Sequence, residues 1–377
     1  MFGSSLTLFR VFGLDIKVNL SWAFIALLIA WSLASGYFPS VHEGLARATY
    51  WAMGVLAVAG IFFSILVHEL AHSLVARAFG IPMRGITLHL FGGAAEMEAE
   101  PGTPKAEFLM AIAGPLMSVG VALVLYGLNL ALGLGADEPA GIVLRYVATL
   151  NLVLAVFNML PAFPLDGGRV LRAGLWAASG DFAQATRRAA RIGAALGLLV
   201  SAFGFIQILA GAFSGGLWMV LIGFFIRSAA LTARLDLDTR TMLTGRTVAS
   251  FMTADPVTVG PAMAIGHFVE DVVYRSRHDA YPVVDGSGAP RGLAVVGNLH
   301  QIERERWPSA SVLEIMQPVD SAMVVAPGDD AVAALEQMRA GGHSRLLVVD
   351  AGRLVGLLTL KDLLETLDLR QRLEGSR

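Results

Sequence analysis

Two histidines and a glutamate with metal-binding spacing lie inside a long apolar segment of the chain. Residues 68–72 read His-Glu-Leu-Ala-His, which is the H-E-x-x-H pattern. Residues four apart share one face of a helix, so His68 and His72 can bind the same metal ion. Glu69 is placed to exchange a proton with a water molecule at that metal. Because residues 48–67 carry no charge and ionisable groups within a membrane are costly, the stretch predicts a functional metal site in a membrane helix.

A catalytic zinc site needs a third protein ligand. The chain has no cysteine, so that ligand must be a histidine or a carboxylate. Asp166 is one candidate, because it is a lone carboxylate that follows an apolar segment and two helix-breaking prolines. Glu96 and Glu98 are not excluded by spacing alone. A capping role for Asp166 at the start of the next helix is also an open alternative.

The composition indicates a membrane protein. Of the 377 residues, 55% are hydrophobic and 15% are charged, whereas soluble domains carry about 25% charged residues. The net charge of −2 provides no basic excess for binding nucleic acid. The absence of cysteine excludes disulfides and thiol nucleophiles. The first apolar segment is followed by others, so we do not expect it to be a cleaved signal peptide.

Six apolar segments approach the ~20 residues that a helix needs to cross a bilayer. They are roughly Leu20–Phe38, Tyr50–Phe79, Ala106–Leu134, Ile142–Leu160, Ile192–Phe213 and Leu217–Leu231. Arginine and lysine concentrate in alternate connections, beginning with the residues before the first segment. The positive-inside rule therefore predicts that both termini, and the end of the second segment that carries His68 and His72, face the cytoplasm.

Two short stretches outside these segments favour β-structure. Leu8–Val18 alternates between apolar and polar residues, and with a turn at Gly13–Asp15 it predicts a hairpin at the membrane surface. Ile86–Phe91 alternates in the same way and predicts a strand, with Gly92 and Gly93 forming a turn. An open edge of this strand could pair with an extended peptide. The alternative is an interfacial loop without a part in catalysis.

The residues after about 244 are soluble in character and contain an internal repeat. Tyr281–Asp285 aligns with Leu346–Asp350, and each copy reads as strand, helix, strand, strand, helix. The repeat resembles a tandem pair of CBS domains. We therefore expect a polytopic α-helical membrane domain with a small membrane-associated β-hairpin region at 1–243. A soluble α/β tandem CBS module would follow, with its two domains at 244–308 and 309–377.

The resemblance to CBS domains implies a nucleotide site in the second repeat. In that family a threonine followed three residues later by an aspartate holds the ribose of an adenine nucleotide, and Thr359 and Asp362 match this pattern. Val295 and Asn298 occupy the equivalent places in the first repeat and depart from it. The resemblance thus implies one site, for ATP or another adenine nucleotide, and a homodimer through the CBS domains. A CBS pair that binds nothing is the alternative.

The membrane half resembles the site-2 protease family of intramembrane zinc metalloproteases. The resemblance rests on the H-E-x-x-H pattern together with residues 158–169, which read Asn-Met-Leu-Pro-Ala-Phe-Pro-Leu-Asp-Gly-Gly-Arg. It extends to Gly92-Gly93 and to Ala113-Gly114-Pro115. The attached CBS pair is similar to a prokaryotic branch of the family, which implies a multi-pass protein of the cytoplasmic membrane.

This resemblance implies a role for each matching residue. The zinc ligands would be His68, His72 and Asp166, and Glu69 would be the general acid/base that works with zinc-activated water. Asn158 would bind the substrate backbone, and the hairpin around Gly92 and Gly93 would line the substrate path. The substrate would be a membrane-spanning protein, such as an anti-sigma factor or a signal-peptide remnant. Its cleavage within or next to the transmembrane segment would be regulated intramembrane proteolysis.

Two other functions are compatible with parts of this pattern. CBS pairs also occur on ion channels and transporters, in which intramembrane histidine and aspartate would form an ion path. The chain shows no inverted repeat, and its charged residues cluster at one membrane face, which disfavours transport. An inactive relative that only binds membrane proteins is disfavoured because all four catalytic residues are present.

Overall fold

A computed structural model describes residues 5–89, 92–97, 100–135 and 137–363. The chain divides into two compact units, Met1–Leu235 and Asp236–Arg377. The boundary between the units lies eight residues before the predicted boundary at residue 243, inside a long helix. Each unit is described below by itself.

Within the described residues, six helical segments are long and apolar enough to cross a membrane, which confirms the predicted fold class. The first combines α1 (Leu20–Ser32), a π-helical turn (Leu33–Tyr37) and α2 (Phe38–Val41). The others are α3 (Arg47–Ala78), α4 (Pro104–Ala131), α5 (Pro139–Asn158), α7 (Phe182–Leu209) and α8 (Phe213–Leu243). The shorter α6 (Asp166–Ser179) lies between α5 and α7.

The last two spanning helices extend beyond their predicted ends. Helix α7 begins at Phe182 rather than near Ile192, and α8 continues to Leu243 rather than ending near Leu231. The added turns are rich in alanine, leucine and arginine, which are strong helix formers. Hydropathy therefore identified only the apolar part of each helix. The flanking polar residues are also helical, because many of them have high helix propensity.

A four-stranded sheet accompanies the membrane helices. Its strands are β1 (Ser5–Val11), β2 (Leu14–Asn19), β3 (Met83–His89) and β4 (Gly92–Met97), paired in that order. The predicted N-terminal hairpin is present, but its turn falls at Phe12 and Gly13, both with positive φ. Strands β2 and β3 are parallel, and the other two pairs are antiparallel.

The predicted turn at Gly92 and Gly93 is wrong. Both glycines belong to β4, where Gly92 pairs with His89 and Gly93 pairs with Leu88. Pairing with β3 satisfies their backbone groups and overrides the preference of glycine for turns. Strand β3 is therefore an inner strand without the predicted open edge, and the two edge strands of the sheet are β1 and β4. The last two residues of the predicted strand, Leu90 and Phe91, lie outside the described residues.

Helix α3 is the centre of the membrane unit. It packs against α1, α4 and α5, and its inner face buries small residues such as Ala57 and Ser64. Gly54 and Gly60 allow close contact, because a Cβ at Gly60 would lie 3.0 Å from a methyl group of Val147 on α5. The sheet packs on the same helix through Leu66. His68 and His72 thus point into the interior of the helix bundle.

The second unit contains two interlocked sheets. Its strands are β5 (Thr253–Ala254), β6 (Ala280–Val284), β7 (Pro290–Val295), β8 (Met316–Pro318), β9 (Val324–Val325), β10 (Arg345–Asp350) and β11 (Arg353–Thr359). One sheet has the order β5-β11-β10-β9 and the other β6-β7-β8. Each repeat therefore donates its first strand to the sheet of the other repeat. Besides short 3-10 turns, the helical elements of this unit include α9 (Ile265–His267), a π-helical turn (Phe268–Val273), α10 (Tyr274–Ser276) and α11 (Ala331–Gly341).

The end of α8 forms part of this second unit. Leu243 is fully buried in the core that contains Leu335 of α11. Arg240 forms an ion pair with Glu336, and Asp236 forms one with Arg339. These exposed ion pairs contribute little to stability. The burial of Leu243 therefore contributes most to holding the end of α8 on the core of this unit.

Helices α7 and α8 cross through pairs of glycines. A Cβ at Gly197 would lie 2.6 Å from the carbonyl oxygen of Gly223, and one at Gly204 would lie 2.6 Å from that of Gly216. The two helices therefore pack closely at both glycine pairs. Small residues permit such close approach between membrane helices.

We expect Gly223→Val to destabilise the membrane unit, because its side chain would force α7 and α8 apart. Overpacking of this kind costs about 1–3 kcal/mol. The apparent melting temperature of the detergent-solubilised protein should fall. Gly127→Val is the matched control, since a Cβ at Gly127 on α4 meets open space. Equal melting temperatures for the two variants would contradict the close crossing.

Candidate metal centre

Helix α3 places two imidazoles side by side. His68 and His72 are 4% and 7% exposed, and their Nε2 atoms lie 3.2 Å apart. Each Nδ1 contacts α4: that of His68 lies 2.8 Å from Ser118 Oγ, and that of His72 lies 2.6 Å from the carbonyl oxygen of Met110. A carbonyl oxygen only accepts, so Nδ1 of His72 carries a proton and donates it. This partner fixes the ring with Nε2 directed at the site, as is typical of metal-binding histidines.

Asp166 completes the group from the start of α6. Its Oδ2 lies 3.2 Å from His68 Nε2 and 3.3 Å from His72 Nε2. The capping interpretation of Asp166 is wrong, because the N-cap residue is Leu165 and Asp166 is already the first helical residue. The negative carboxylate also benefits from the positive end of the helix dipole.

Two glycines bring the start of α6 back towards the end of α5. A Cβ at Gly167 would collide with the carbonyl oxygens of Met159 and Leu160. A Cβ at Gly168 would lie 2.6 Å from the carbonyl carbon of Ala162. The connection also contains a cis Phe163–Pro164 peptide bond. The Gly-Gly pair thus permits the close backbone approach that positions Asp166.

The electrostatics of this group call for a cation. Burial alone would raise the pKa of Asp166, but the adjacent imidazoles of His68 and His72 lower the pKa to about 2. The carboxylate is therefore charged at neutral pH. One ligand atom from each of the three residues lies within 4.8 Å of the others. Two imidazole nitrogens and an anion converge here at distances that a shared cation would stabilise.

The spacing of the three ligand atoms fits a tetrahedral zinc ion. Zinc bonds of about 2.0–2.1 Å place neighbouring ligand atoms roughly 3.3 Å apart in a tetrahedron. The observed separations are 3.2, 3.2 and 3.3 Å. Nitrogen and carboxylate oxygen are also common donors for zinc. The residues present therefore fit the metal that the sequence pattern suggested.

Helix α4 keeps the space beside these atoms open. A Cβ at Gly114 would lie 2.6 Å from His68 Nε2 and would also collide with His72 Nε2. Met110, Gly114 and Ser118 are four residues apart, so one face of α4 supplies both imidazole partners and the gap between them. Sequence reasoning included Gly114 only in the family resemblance and gave it no role at the metal site. The four-residue spacing of small and polar residues in an apolar helix was the signal that it missed.

A cavity of about 620 Å³ adjoins the three candidate ligand residues. Its polar lining includes Glu69, Asn158 and Arg169. The remaining walls are mostly apolar side chains from α1, α3, α5 and α8, together with Met83 of β3 and Met97 of β4. Gly92 and Gly93 begin the strand that ends at Met97. The cavity can thus hold an apolar peptide segment beside the three ligand atoms.

A buried ion pair holds α6 against α4. Nε of Arg172 donates to Oε1 of Glu107 at 2.6 Å, and both side chains are buried. The Arg172 guanidinium also lies over the rings of Phe163 and Phe182, at 5.4 and 4.7 Å from their centres. Breaking a buried pair leaves an uncompensated charge, so this contact fixes the first turns of α6. Sequence reasoning missed it, because the partners are far apart in the chain.

The predicted nucleotide residues lie at the end of β11. The backbone N–H of Asp362 donates to Thr359 Oγ1 at 3.0 Å. In the first repeat, the side-chain amide of Asn298 donates to the carbonyl oxygen of Ile315 at 3.1 Å. Asn298 therefore has a structural partner, in keeping with its departure from the expected pattern.

Comparisons with known proteins agree with these features. The profile of Peptidase family M50 matches residues 56–137 and 136–200, and that of the CBS domain matches 248–299 and 312–369. "Putative zinc metalloprotease Rip3" of Mycobacterium tuberculosis is 36% identical over 96% of this chain and 92% of its own. Zinc metalloprotease MJ0392 of Methanocaldococcus jannaschii is 29% identical over 97% of this chain and 96% of its own.

A solved structure of the site-2 protease from Methanocaldococcus jannaschii also matches, with 28% identity and a TM-score of 0.42. It covers 61% of this chain and 95% of that chain. The 36% identity to Rip3 extends over nearly the full length of both chains. Together with the two profiles, it is sufficient to assign the family. The chain belongs to peptidase family M50, the site-2 protease family of membrane zinc metalloproteases, and carries a tandem pair of CBS domains.

Proposed function

We propose that this protease cleaves membrane-spanning proteins within or next to their transmembrane segments, with His68, His72 and Asp166 as its zinc ligands. The proposal rests on one observation above all. Three ligand atoms within 3.3 Å of one another open onto a cavity formed largely by membrane-spanning helices. A peptide that reaches this cavity must come from within or beside the membrane.

Glu69 is the proposed general acid/base. Zinc bound by the three ligands would supply Lewis-acid chemistry that activates water and polarises a peptide carbonyl. The Glu69 carboxylate lines the same cavity and adjoins His68 in the chain. It accepts a proton from the attacking water and returns that proton to the leaving amide nitrogen.

The substrate helix must unwind before it can be cut, because its carbonyls are otherwise hydrogen-bonded within the helix. Asn158, at the end of α5, lines the cavity and offers both an amide donor and an acceptor to the released backbone. Strand β4 (Gly92–Met97) is an edge of its sheet, so an extended peptide can add to it. Gly92 and Gly93 would then lie along the substrate path.

The CBS pair is the proposed regulator. We propose that Thr359 and Asp362 hold the ribose of an adenine nucleotide such as ATP, and that CBS pairs associate in a homodimer. Loop charges support a topology with both termini and the CBS pair in the cytoplasm. An anti-sigma factor or a signal-peptide remnant would be a suitable substrate. Membership of a protease family disfavours the ion-transport alternative.

We expect Glu69→Gln to retain zinc and to lose cleavage of a membrane-spanning substrate by roughly 10²-fold or more, because general acid–base catalysis contributes this much. Zinc is measured by elemental analysis, and cleavage by the appearance of product fragments. His72→Ala is the companion variant and should lose both zinc and cleavage. Cleavage by Glu69→Gln at the wild-type rate would exclude Glu69 as the acid/base.

Gly114→Ala should reduce the zinc content of the purified protein, because the added methyl group occupies the space beside both Nε2 atoms. The matched control is Gly127→Ala on the same helix, where a methyl group meets open space. Both variants place the same residue in α4, so helix propensity does not distinguish them. Full zinc occupancy in Gly114→Ala would show that α4 does not restrict the metal site.

Titration calorimetry of the full-length protein with ATP tests the nucleotide site. We expect saturable binding that Asp362→Ala weakens by about tenfold, the loss that follows removal of one or two ribose hydrogen bonds. Asp350→Ala is a suitable control, because Asp350 is an exposed carboxylate at the end of β10. The absence of binding heat for the wild-type protein would argue against regulation by ATP.

A further inference from the structure

Arg169 is a largely buried cation with unused hydrogen-bonding capacity. It lies on α6, three residues after Asp166, and its guanidinium carries five N–H donors. Among the residues that the structure describes, its partners are Met97 Sδ and Glu107 Oε1, each at 3.9 Å. Sulfur is a weak acceptor, and 3.9 Å is too long for a direct N–H···O hydrogen bond.

Glu107 does not compensate for this deficit, because its carboxylate lies beyond hydrogen-bond distance of Arg169. Its Oε2 is buried and has no hydrogen-bond partner among the described residues. Its Oε1 accepts from Arg172 at 2.6 Å, so the close partner of this carboxylate is Arg172. A guanidinium withdrawn from water without a good acceptor is costly. The position of Arg169 in the wall of the cavity therefore indicates that an acceptor is supplied from the cavity side.

The cavity itself narrows the identity of this acceptor. Arg169 shares the wall with Glu69, Asn158 and Asp166, which surround the place where the peptide bond would be cut. An unwound peptide exposes carbonyl oxygens at every residue, whatever its side chains are. A guanidinium only donates, so it complements these oxygens.

We propose that Arg169 is a substrate-binding residue that donates hydrogen bonds to a peptide carbonyl oxygen of the unwound substrate next to the scissile bond. This role rests on the proposed function and extends it, because it assigns a second backbone contact beside Asn158. Asn158 lies at the end of α5 and Arg169 in the first turn of α6, so the two side chains hold the peptide from both sides of the connection that carries Asp166. Recognition of the backbone would permit many substrate sequences.

The test measures binding without turnover. Full-length Glu69→Gln protein is titrated with a fluorescent membrane-spanning peptide that the wild type cleaves, and Arg169→Gln and Arg169→Lys are added to this background. We expect Arg169→Gln to raise Kd about tenfold or more and Arg169→Lys to restore part of the affinity, since lysine retains a charged donor. Arg188→Gln is the matched control, because it removes the same charge from an exposed position on α7.

The zinc content and the melting temperature of each variant distinguish binding from folding. A raised Kd with unchanged zinc and melting temperature supports the role of Arg169. An unchanged Kd in Arg169→Gln overturns it, and so does loss of zinc or of stability in both Arg169 variants, which would mark a structural role. Cleavage of the peptide by the wild type tests the proposed function separately, so each idea can fail alone.

Discussion

The structure of the membrane unit depends on the burial of one carboxylate and two imidazoles within a helix bundle. Charged and polar groups are expensive in such surroundings unless each of their atoms has a partner. Here Nδ1 of each imidazole has a partner on α4, and the Asp166 carboxylate lies within 3.3 Å of both Nε2 atoms. The arrangement of α3, α4 and α6 follows from this requirement. Each helix contributes to the site, and moving any of them would leave a buried polar atom without a partner.

The supporting contacts change in kind with distance from the site. Gly114 gives α4 its close approach, and Gly167 and Gly168 let the chain return from α5 into α6. The Glu107–Arg172 pair then fixes α6 on α4. Farther away, close contact between glycines holds α7 and α8 together, and Ser201 Oγ on α7 donates to the carbonyl oxygen of Val220 on α8 at 3.2 Å. A membrane protease can thus combine a strictly positioned centre with a helix bundle that is held mainly by shape.

Much of this organisation could be predicted from the sequence, and most of the exceptions depend on contacts between distant segments. His68, His72 and Asp166 could be selected as candidate ligands from the sequence, because helix periodicity and helix-breaking residues are local signals. The six spans followed from hydropathy, although helix propensity sets the ends of α7 and α8. Glu107 and Arg172 were missed, because their pairing depends on tertiary packing between distant segments. The turn assigned to Gly92 and Gly93 was wrong because pairing with β3 outweighed local turn preference.

The exchange of strands between the two repeats of the second unit has a consequence for biosynthesis. Strand β5 has its sheet partner in β11, the last strand of the described chain, so it leaves the ribosome long before that partner exists. Domains generally fold as units during synthesis, and unpaired strand edges favour aggregation. The first repeat therefore waits in an incomplete state until the second is made. A ribosome that stops within the second repeat would release a chain whose membrane helices are complete but whose β5 edge is exposed to proteases and chaperones.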